Sequence, residues 1–325
     1  MSLDALARKN FLVVGRVGMD LTPTPVNTHT EEASQMMVAM GGSSANIAAG
    51  LCKLGCRAAL LTVVSDDSVG RYCLNQLDHY GIDRRHVRAI TGETRTSLAV
   101  YETRTEDHQS VIYRNNAADF QMSVADVEAV DYSLYGALIT TGTVFAAEPS
   151  RSAAFRAFDL ARAAGLAIIL DVDYRPYSWP SPQIAQQVLS RAGEMSDIII
   201  GNDEEFGFME GDFARGLDKA RALAASGEAI VIYKLGPDGS VAIANGAEIR
   251  TGIFPANAVK PTGAGDSFMA GLMAALAEGR PLREAILRGS ACASIVVARP
   301  GCAPAMPFTP ELEAFLAAHP GPTAA

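Results

Sequence analysis

Short apolar runs alternate along this chain with longer stretches whose apolar residues recur every three or four positions, the pattern of strands interleaved with helices. The β-branched run at 11–14, ended by Gly15, predicts a buried strand that delivers a loop. Residues 21–40 are polar and rich in Pro and Thr, which predicts an extended excursion from the core. Ile47, Leu51 and Leu54 mark one face of a helix that opens at Gly41 and Gly42 and stops at Gly55. A strand is predicted over 58–64, a helix over 68–80 and a turn at 81–83. Residues 97–103 and 109–114 alternate around a polar tip at 104–108, a hairpin signal; with 17–40 they predict a small sheet outside the main layers, placed to act as a lid. Further on, strands are predicted over 136–141, 166–171, 197–200, 229–233 and 240–244, and helices over 150–164 and 183–192. A last amphipathic helix carries Phe268, Leu272, Ala275 and Leu276. Such alternation implies an α/β protein with a mostly parallel sheet covered on both faces and ligands at the carboxyl ends of its strands.

Composition narrows the function classes. With 27 Lys and Arg against 36 Asp and Glu, a net charge of −9 argues against nucleic-acid and anionic-membrane binding and points to small-molecule partners. The five cysteines, at 52, 56, 73, 292 and 302, lack zinc-like spacing and read as reduced, mostly buried thiols of a cytoplasmic protein. His29, His79, His86, His108 and His319 have no metal-type spacing and read as surface or lid residues. No signal peptide opens the chain and no apolar run approaches a membrane span. With no repeat or linker, 1–325 reads as one domain with a β lid from about 17–40 and 94–116, fraying at 320–325.

The candidate chemistry centres on Lys260, Pro261, Thr262, Gly263, Ala264, Gly265 and Asp266, which run into the last helix. First-turn N–H groups have no intrahelical partner, the dipole favours anions, and two glycines let a phosphate approach the main chain. Asp266, stabilised by that dipole, is expected to stay ionised near neutral pH and to accept a proton from a hydroxyl beside the phosphate. The plainer alternative is a tight turn with a first-turn acid. Asn46 offers a donor and an acceptor to a hydroxylated ligand, or packs as an ordinary helix residue. The loop at 171–179 gathers Asp171, Asp173, Arg175 and the only tryptophan, so Arg175 suits a carboxylate or phosphate, or braces the loop through an aspartate. Asn202 and Glu205 share a helix face after a strand and suit Mg2+ held largely through waters, or an ordinary N-cap. Gly-Lys occurs nowhere, which excludes a standard P-loop, and the protein-kinase signatures are absent.

In order along the chain, Gly41-Gly42 with Asn46, Asn202-x-x-Glu205, Leu235-Gly236-Pro237-Asp238-Gly239 and Thr262-Gly263-Ala264-Gly265-Asp266-Ser267-Phe268 resemble the motifs of the ribokinase-like (PfkB) sugar kinases. The resemblance implies a three-layer α/β/α fold with a small β lid, and use of ATP and Mg2+. It implies Asp266 as catalytic base and the backbone of Gly263, Ala264, Gly265 and Asp266 as anion hole. Asp20, Gly42 and Asn46 would hold sugar hydroxyls, and Asn202 and Glu205 would organise Mg2+. Lys234, Gly236, Gly239 and Gly265 would border the nucleotide, with 291–302 closing its pocket. The stretches 171–179, 260–266 and 299–307 are most similar to family members that phosphorylate the 6-hydroxyl of an acidic keto sugar, with Arg114 and Arg175 as carboxylate partners. Kinases of a related 2-keto sugar acid share the acid-plus-arginine loop, and an idle sugar or nucleotide sensor would keep the fold. Many relatives carry Asp-Thr where this chain has Lys260-Pro261, and that aspartate helps bind an activating monovalent cation; the Lys260 ammonium is expected to take the cation's place. The lid's sheet edges suggest a homodimer.

Overall fold

The computed structural model describes residues 3–322 apart from 105, 106, 108, 226 and 227. Most of the hairpin tip, His108 included, and the last residues of the expected frayed end therefore lie outside the described residues.

In chain order the elements are β1 (Asn10–Val14), β2 (Gly18–Pro23), β3 (Met36–Gly41), α1 (Ser43–Lys53), β4 (Arg57–Ser65), α2 (Ser68–His79), β5 (Asp83–Ile90), β6 (Leu98–Tyr101), β7 (Ser110–Tyr113) and α3 (Val124–Glu128). Then come β8 (Ala137–Thr141), α4 (Ser150–Ala163), β9 (Ala167–Asp171), α5 (Pro182–Glu194), β10 (Ile198–Asn202), α6 (Asp203–Glu210) and α7 (Gly216–Ala225). The chain closes with β11 (Ile230–Lys234), β12 (Ser240–Ala244), β13 (Ala247–Thr251), α8 (Ala264–Ala277), α9 (Leu282–Val297) and α10 (Thr309–Ala318).

Nine strands form one sheet in the order β13-β12-β11-β10-β9-β8-β1-β4-β5, parallel except for the antiparallel edge of β12 and β13. Side chains alternate across it: Phe11 and Val13 enter a core with α1, α2, α8, α9 and α10, while Leu12 and Val14 enter a second core with α3 to α7. The chain winds outward from β1 through β4 to β5, then returns to β8 and winds the other way. The switch between β1 and β8 opens a crevice at the carboxyl ends, where a ligand is expected.

A second sheet, β3-β2-β6-β7, stands over that crevice. This is the small sheet expected from 17–40 and the hairpin; within the excursion at 21–40, two segments are paired strands and the stretch between them loops. β2 is inverted in pattern. Asp20 pairs across with Ala39 and Ala99 on a row facing the cavity, whereas Leu21 pairs with Val38 and Val100 on the outer face, so this strand carries polar residues inward. Residues 83–90 form a strand that the sequence analysis did not expect; β5 is a charged edge, Asp83, Arg84, Arg85 and Arg88 included, which blunts further pairing.

α8 also departs from expectation. It is buried almost all round rather than amphipathic, clamped between α1 and α9 through small residues. A Cβ on Gly50 would stand 2.6 Å from the Ala270 methyl, and one on Gly271 2.8 Å from Cys292 Sγ. This close packing fixes where the first turn of α8 points.

Candidate active site

Beneath the lid lies a cavity of about 710 Å³, bounded by the ends of β9, β10 and β11, the first turn of α8 and the inner face of the lid. Every expected site residue borders it except Arg114.

Gly263 caps α8 at φ 84°, and a Cβ there would press 2.9 Å from Cys302 Sγ, so the turn requires glycine. The first α-helical bond runs from Ser267 N–H to Gly263 O at 3.1 Å. The Gly265 and Asp266 N–H groups precede it and have no intrahelical partner, which leaves donors for an anion. Asn46, the candidate hydroxyl ligand, donates from Nδ2 to Asp266 Oδ2 at 2.8 Å, while its buried Oδ1 has no partner. It is therefore both an ordinary α1 residue and one with an unspent acceptor aimed at the site.

The expectation that Asp266 stays ionised at neutral pH is corrected. Burial pushes its carboxyl up to about 7, and the neighbouring Asp173 adds to the rise against the opposing pull of Asn46 and Arg175. Glu205 is likewise pushed up to about 7 by burial and by Asp171, and Asp20 to about 6 by burial, despite Arg16 and Lys260.

Asn202 and Glu205 form the capping box of α6. Glu205 N–H donates to Asn202 Oδ1 at 2.8 Å, and Asn202 N–H donates to Glu205 Oε2 at 2.8 Å. The cap and the cavity-facing position coexist. With both Glu205 oxygens already accepting N–H bonds, the second from Tyr174 at 3.3 Å, the group fits a divalent ion reached through water better than one ligated directly. Asp171 and Glu205 face Lys234, whose Nζ lies 3.9 Å from Asp171 Oδ2; burial disfavours its charge, but these carboxylates hold its pKa above the usual lysine value. Gly239, at φ 88°, would drive a Cβ to 1.9 Å from Thr251 O, and Gly265 leaves Lys234 Nζ 3.4 Å from where a Cβ would sit. Together these residues present a low-relief cradle of glycines beside the Lys234 ammonium.

In the loop after β9, Arg175 braces an aspartate and borders the cavity. Its Nη2 pairs with Asp173 at 2.8 Å, and Asp173 also accepts from Ser43 Oγ at 2.7 Å, yet the guanidinium still borders the cavity. Arg114 is different. It is buried, pairs with Asp119 at 2.5 Å, donates to Thr143 O at 3.1 Å and stacks on Phe120. It lines an adjoining cavity of about 510 Å³ that shares Ser110, Ile112 and Tyr177 with the first. Lys260 is fully buried, its Nζ donating to Thr262 O at 2.5 Å and Val296 O at 3.3 Å, the kind of carbonyl nest that otherwise holds a cation. Sequence reasoning passed over Arg16 and Tyr101, which also border the cavity; the only signal for Arg16 was its place just past the first strand.

Comparison with known proteins agrees with this geometry. The profile of the pfkB family carbohydrate kinases matches residues 8–309. A protein of Geobacillus kaustophilus (strain HTA426) named 5-dehydro-2-deoxygluconokinase is 38% identical over 315 residues, 95% of this chain and 94% of that one. The crystal structure of a PfkB protein from Polaromonas sp. JS666 superposes with a TM-score of 0.79 at 27% identity, covering 91% of this chain and 98% of its own. The fructokinase of Vibrio cholerae O395, solved with fructose, ADP and calcium, shares the fold at a TM-score of 0.84 and 22% identity over 95% and 99% of the two chains. A fold wound about the β1–β8 switch, a glycine turn opening onto an aspartate and a profile spanning nearly the whole length agree: the chain belongs to the pfkB family of carbohydrate kinases.

Proposed function

We propose that this protein transfers the γ-phosphoryl group of ATP to the 6-hydroxyl of 5-dehydro-2-deoxy-D-gluconate. The observation that carries the reading is Asp266 in the first turn of α8, hydrogen-bonded to Asn46 and beside two N–H groups free of intrahelical bonds. The Geobacillus relative is named for that substrate, and the fructokinase structure contains ADP.

In this reading Asp20, the Gly42 turn and Asn46 hold sugar hydroxyls. Ionised Asp266 takes the proton of the 6-hydroxyl as its oxygen bonds to phosphorus and the bond to the bridging oxygen breaks, releasing ADP. The backbone from Gly263 to Asp266 donates to the transferring oxygens, and Lys234, Gly236 and Gly239 border the nucleotide. Asn202 and Glu205 would hold Mg2+ through waters, and that ion would neutralise phosphate charge. Arg175 offers a cation to the sugar acid. The lid, once closed, excludes water and limits idle ATP hydrolysis. The reading also includes a cytoplasmic protein whose copies pair through the lid. No described helix is long and apolar enough to cross a membrane.

The test is ATP-dependent phosphorylation with Mg2+ of 5-dehydro-2-deoxygluconate beside 2-dehydro-3-deoxygluconate, ribose and fructose, expected to favour the first. A faster reaction with another sugar removes the substrate assignment, and ATP binding without any turnover favours a sensor. In the same assay Asp266→Asn is expected to lower kcat by about 10²- to 10⁴-fold while calorimetry still detects ATP binding; undiminished turnover removes Asp266 from the role of base.

A further inference from the structure

Three arginines lie near the sugar end of the site, and they differ in whether a carboxylate is already paired with them. Arg175 is paired with Asp173, and Arg114 with Asp119 although its Nε, too, is buried without a partner. Arg16 has no carboxylate in ion-pair contact among the described residues, although it is only 8% exposed. Its Nη1 donates to Ser97 Oγ at 3.1 Å, which pins one side of the guanidinium. Its Nε is sealed in the protein without a partner, whereas Nη2 makes no hydrogen bond among the described residues and is not sealed. Nη2 is therefore the donor left to an anion in the cavity that Arg16 borders.

Asp20 and Asp173 act on Arg16 electrostatically but neither makes an ion pair with it, and leaving a buried donor unmade is costly. An anionic ligand in the cavity that Arg16 borders would give the guanidinium a direct counter-charge. The pocket around the guanidinium is built for it. A Cβ on Gly18 would stand 2.7 Å from Ser97 O, 2.8 Å from Ser97 Oγ and 3.4 Å from Arg16 Nη1, so only glycine there leaves room for the Arg16–Ser97 contact. Ser97 itself is buried, which keeps water from competing for Nη1.

The position also chooses between two sources of negative charge, the sugar acid and the nucleotide. Arg16 follows β1, whereas Lys234 ends β11, and the sheet order places β8, β9 and β10 between them. Four strand spacings are roughly 19 Å at about 4.8 Å each. Arg16 instead neighbours Asp20 and the Gly42 turn, whose Cβ position lies 2.5 Å from Arg16 O, among the groups assigned above to the sugar.

We propose that Arg16 is the specificity-determining residue for an anionic sugar, its Nη2 donating to the substrate's carboxylate while Ser97 holds the guanidinium in place. This rests on the acidic-sugar reading above. Arg16 thereby sets which end of the sugar lies deep beneath the lid and leaves the opposite end, with its primary hydroxyl, toward Asp266.

The experiment compares wild type, Arg16→Gln and Arg16→Lys with saturating ATP on 5-dehydro-2-deoxygluconate and on the analogue carrying a hydroxymethyl group in place of the carboxylate. The expected result is that Arg16→Gln raises KM for the acid by about 10- to 100-fold, the range for a lost charged hydrogen bond, and lowers the acid-to-neutral ratio of kcat/KM by a similar factor. Arg16→Lys, which keeps the charge and loses the planar guanidinium held by Ser97, falls between. An equal loss on both sugars, or an effect confined to KM for ATP, overturns the proposal and leaves Arg16 structural. Should Arg16→Gln lack a cooperative melt, Arg16→Lys decides alone: a lowered acid-to-neutral ratio supports the proposal and an unchanged one overturns it. A wild type that prefers the neutral analogue overturns the acidic-sugar reading itself, which is a different outcome from an unselective loss in the variants.

Discussion

Asp266 is pulled two ways. The helix N-terminus favours its charge by about 0.3–1 kcal/mol, while the rise from 3.8 to about 7 corresponds to about 4 kcal/mol against the charged form. Burial wins, so the base is only partly ionised at neutral pH. The sign follows directly: protonation removes the base, so kcat/KM for the sugar is expected to fall as pH drops through about 7. The Asn46 amide favours the charged form, so Asn46→Ala is expected to move that inflection upward in a pH–rate profile; an inflection that stays put would separate Asn46 from Asp266. Lys260 yields a second expectation. Because its ammonium already occupies the nest of Thr262 and Val296 carbonyls, turnover is expected to be the same when potassium replaces a large inert cation at constant ionic strength. A clear activation by potassium refutes that. The residue types at 202 and 205 were legible in the sequence, but which of the cap or the ion site they served was not, because both uses need the same oxygens at the same helix start.

At the scale of elements, the site is held in register by close helix packing. α8 approaches α9 so closely that a side chain at Gly271 would meet Cys292 Sγ at 2.8 Å and Arg288 O at 3.0 Å. Gly271→Val is therefore expected to cost about 1–3 kcal/mol through overpacking, read as a Tm lowered by several degrees in a thermal melt. An unchanged melt would mean that α8 and α9 can part without loss. The helix was legible from its periodicity and its glycine start, whereas its burial on nearly every side was not. Small residues on the flanks of Phe268 and Leu272 read equally well as a solvent face or as a close contact, and only the neighbours decide. The lid sheet was legible as a unit, but the bounds of β2 were not, because its polar residues face inward, toward a cavity rather than a core.

The whole molecule leaves one surface unaccounted for. On the lid's outer face a row runs Val38–Leu21–Val100–Val111, and the next carries Met19, Leu98 and Tyr113. Val38, Val111 and Tyr113 are 46%, 49% and 61% exposed. An apolar sheet face of this kind is expected to be covered by a second copy. Sedimentation at micromolar concentration is expected to report a dimer for the wild type and a monomer for the Val38→Glu, Val111→Glu double variant. A monomeric wild type would sink the pairing through the lid.

The alternation of strands with helices, the glycine turn leading into Asp266 and the family were determined by the sequence alone, because each rests on local periodicity or on residue types at fixed spacing. The tertiary structure decided what depends on distant neighbours. It raised the pKa of Asp266 by surrounding it with protein and with Asp173 from another loop. It paired Arg114 with Asp119, and left Arg16 with no carboxylate in ion-pair contact among the described residues. Charge state and hydrogen-bond availability are properties of an environment, and residues from β1, the lid, β9 and α8 become one environment only when the chain has folded.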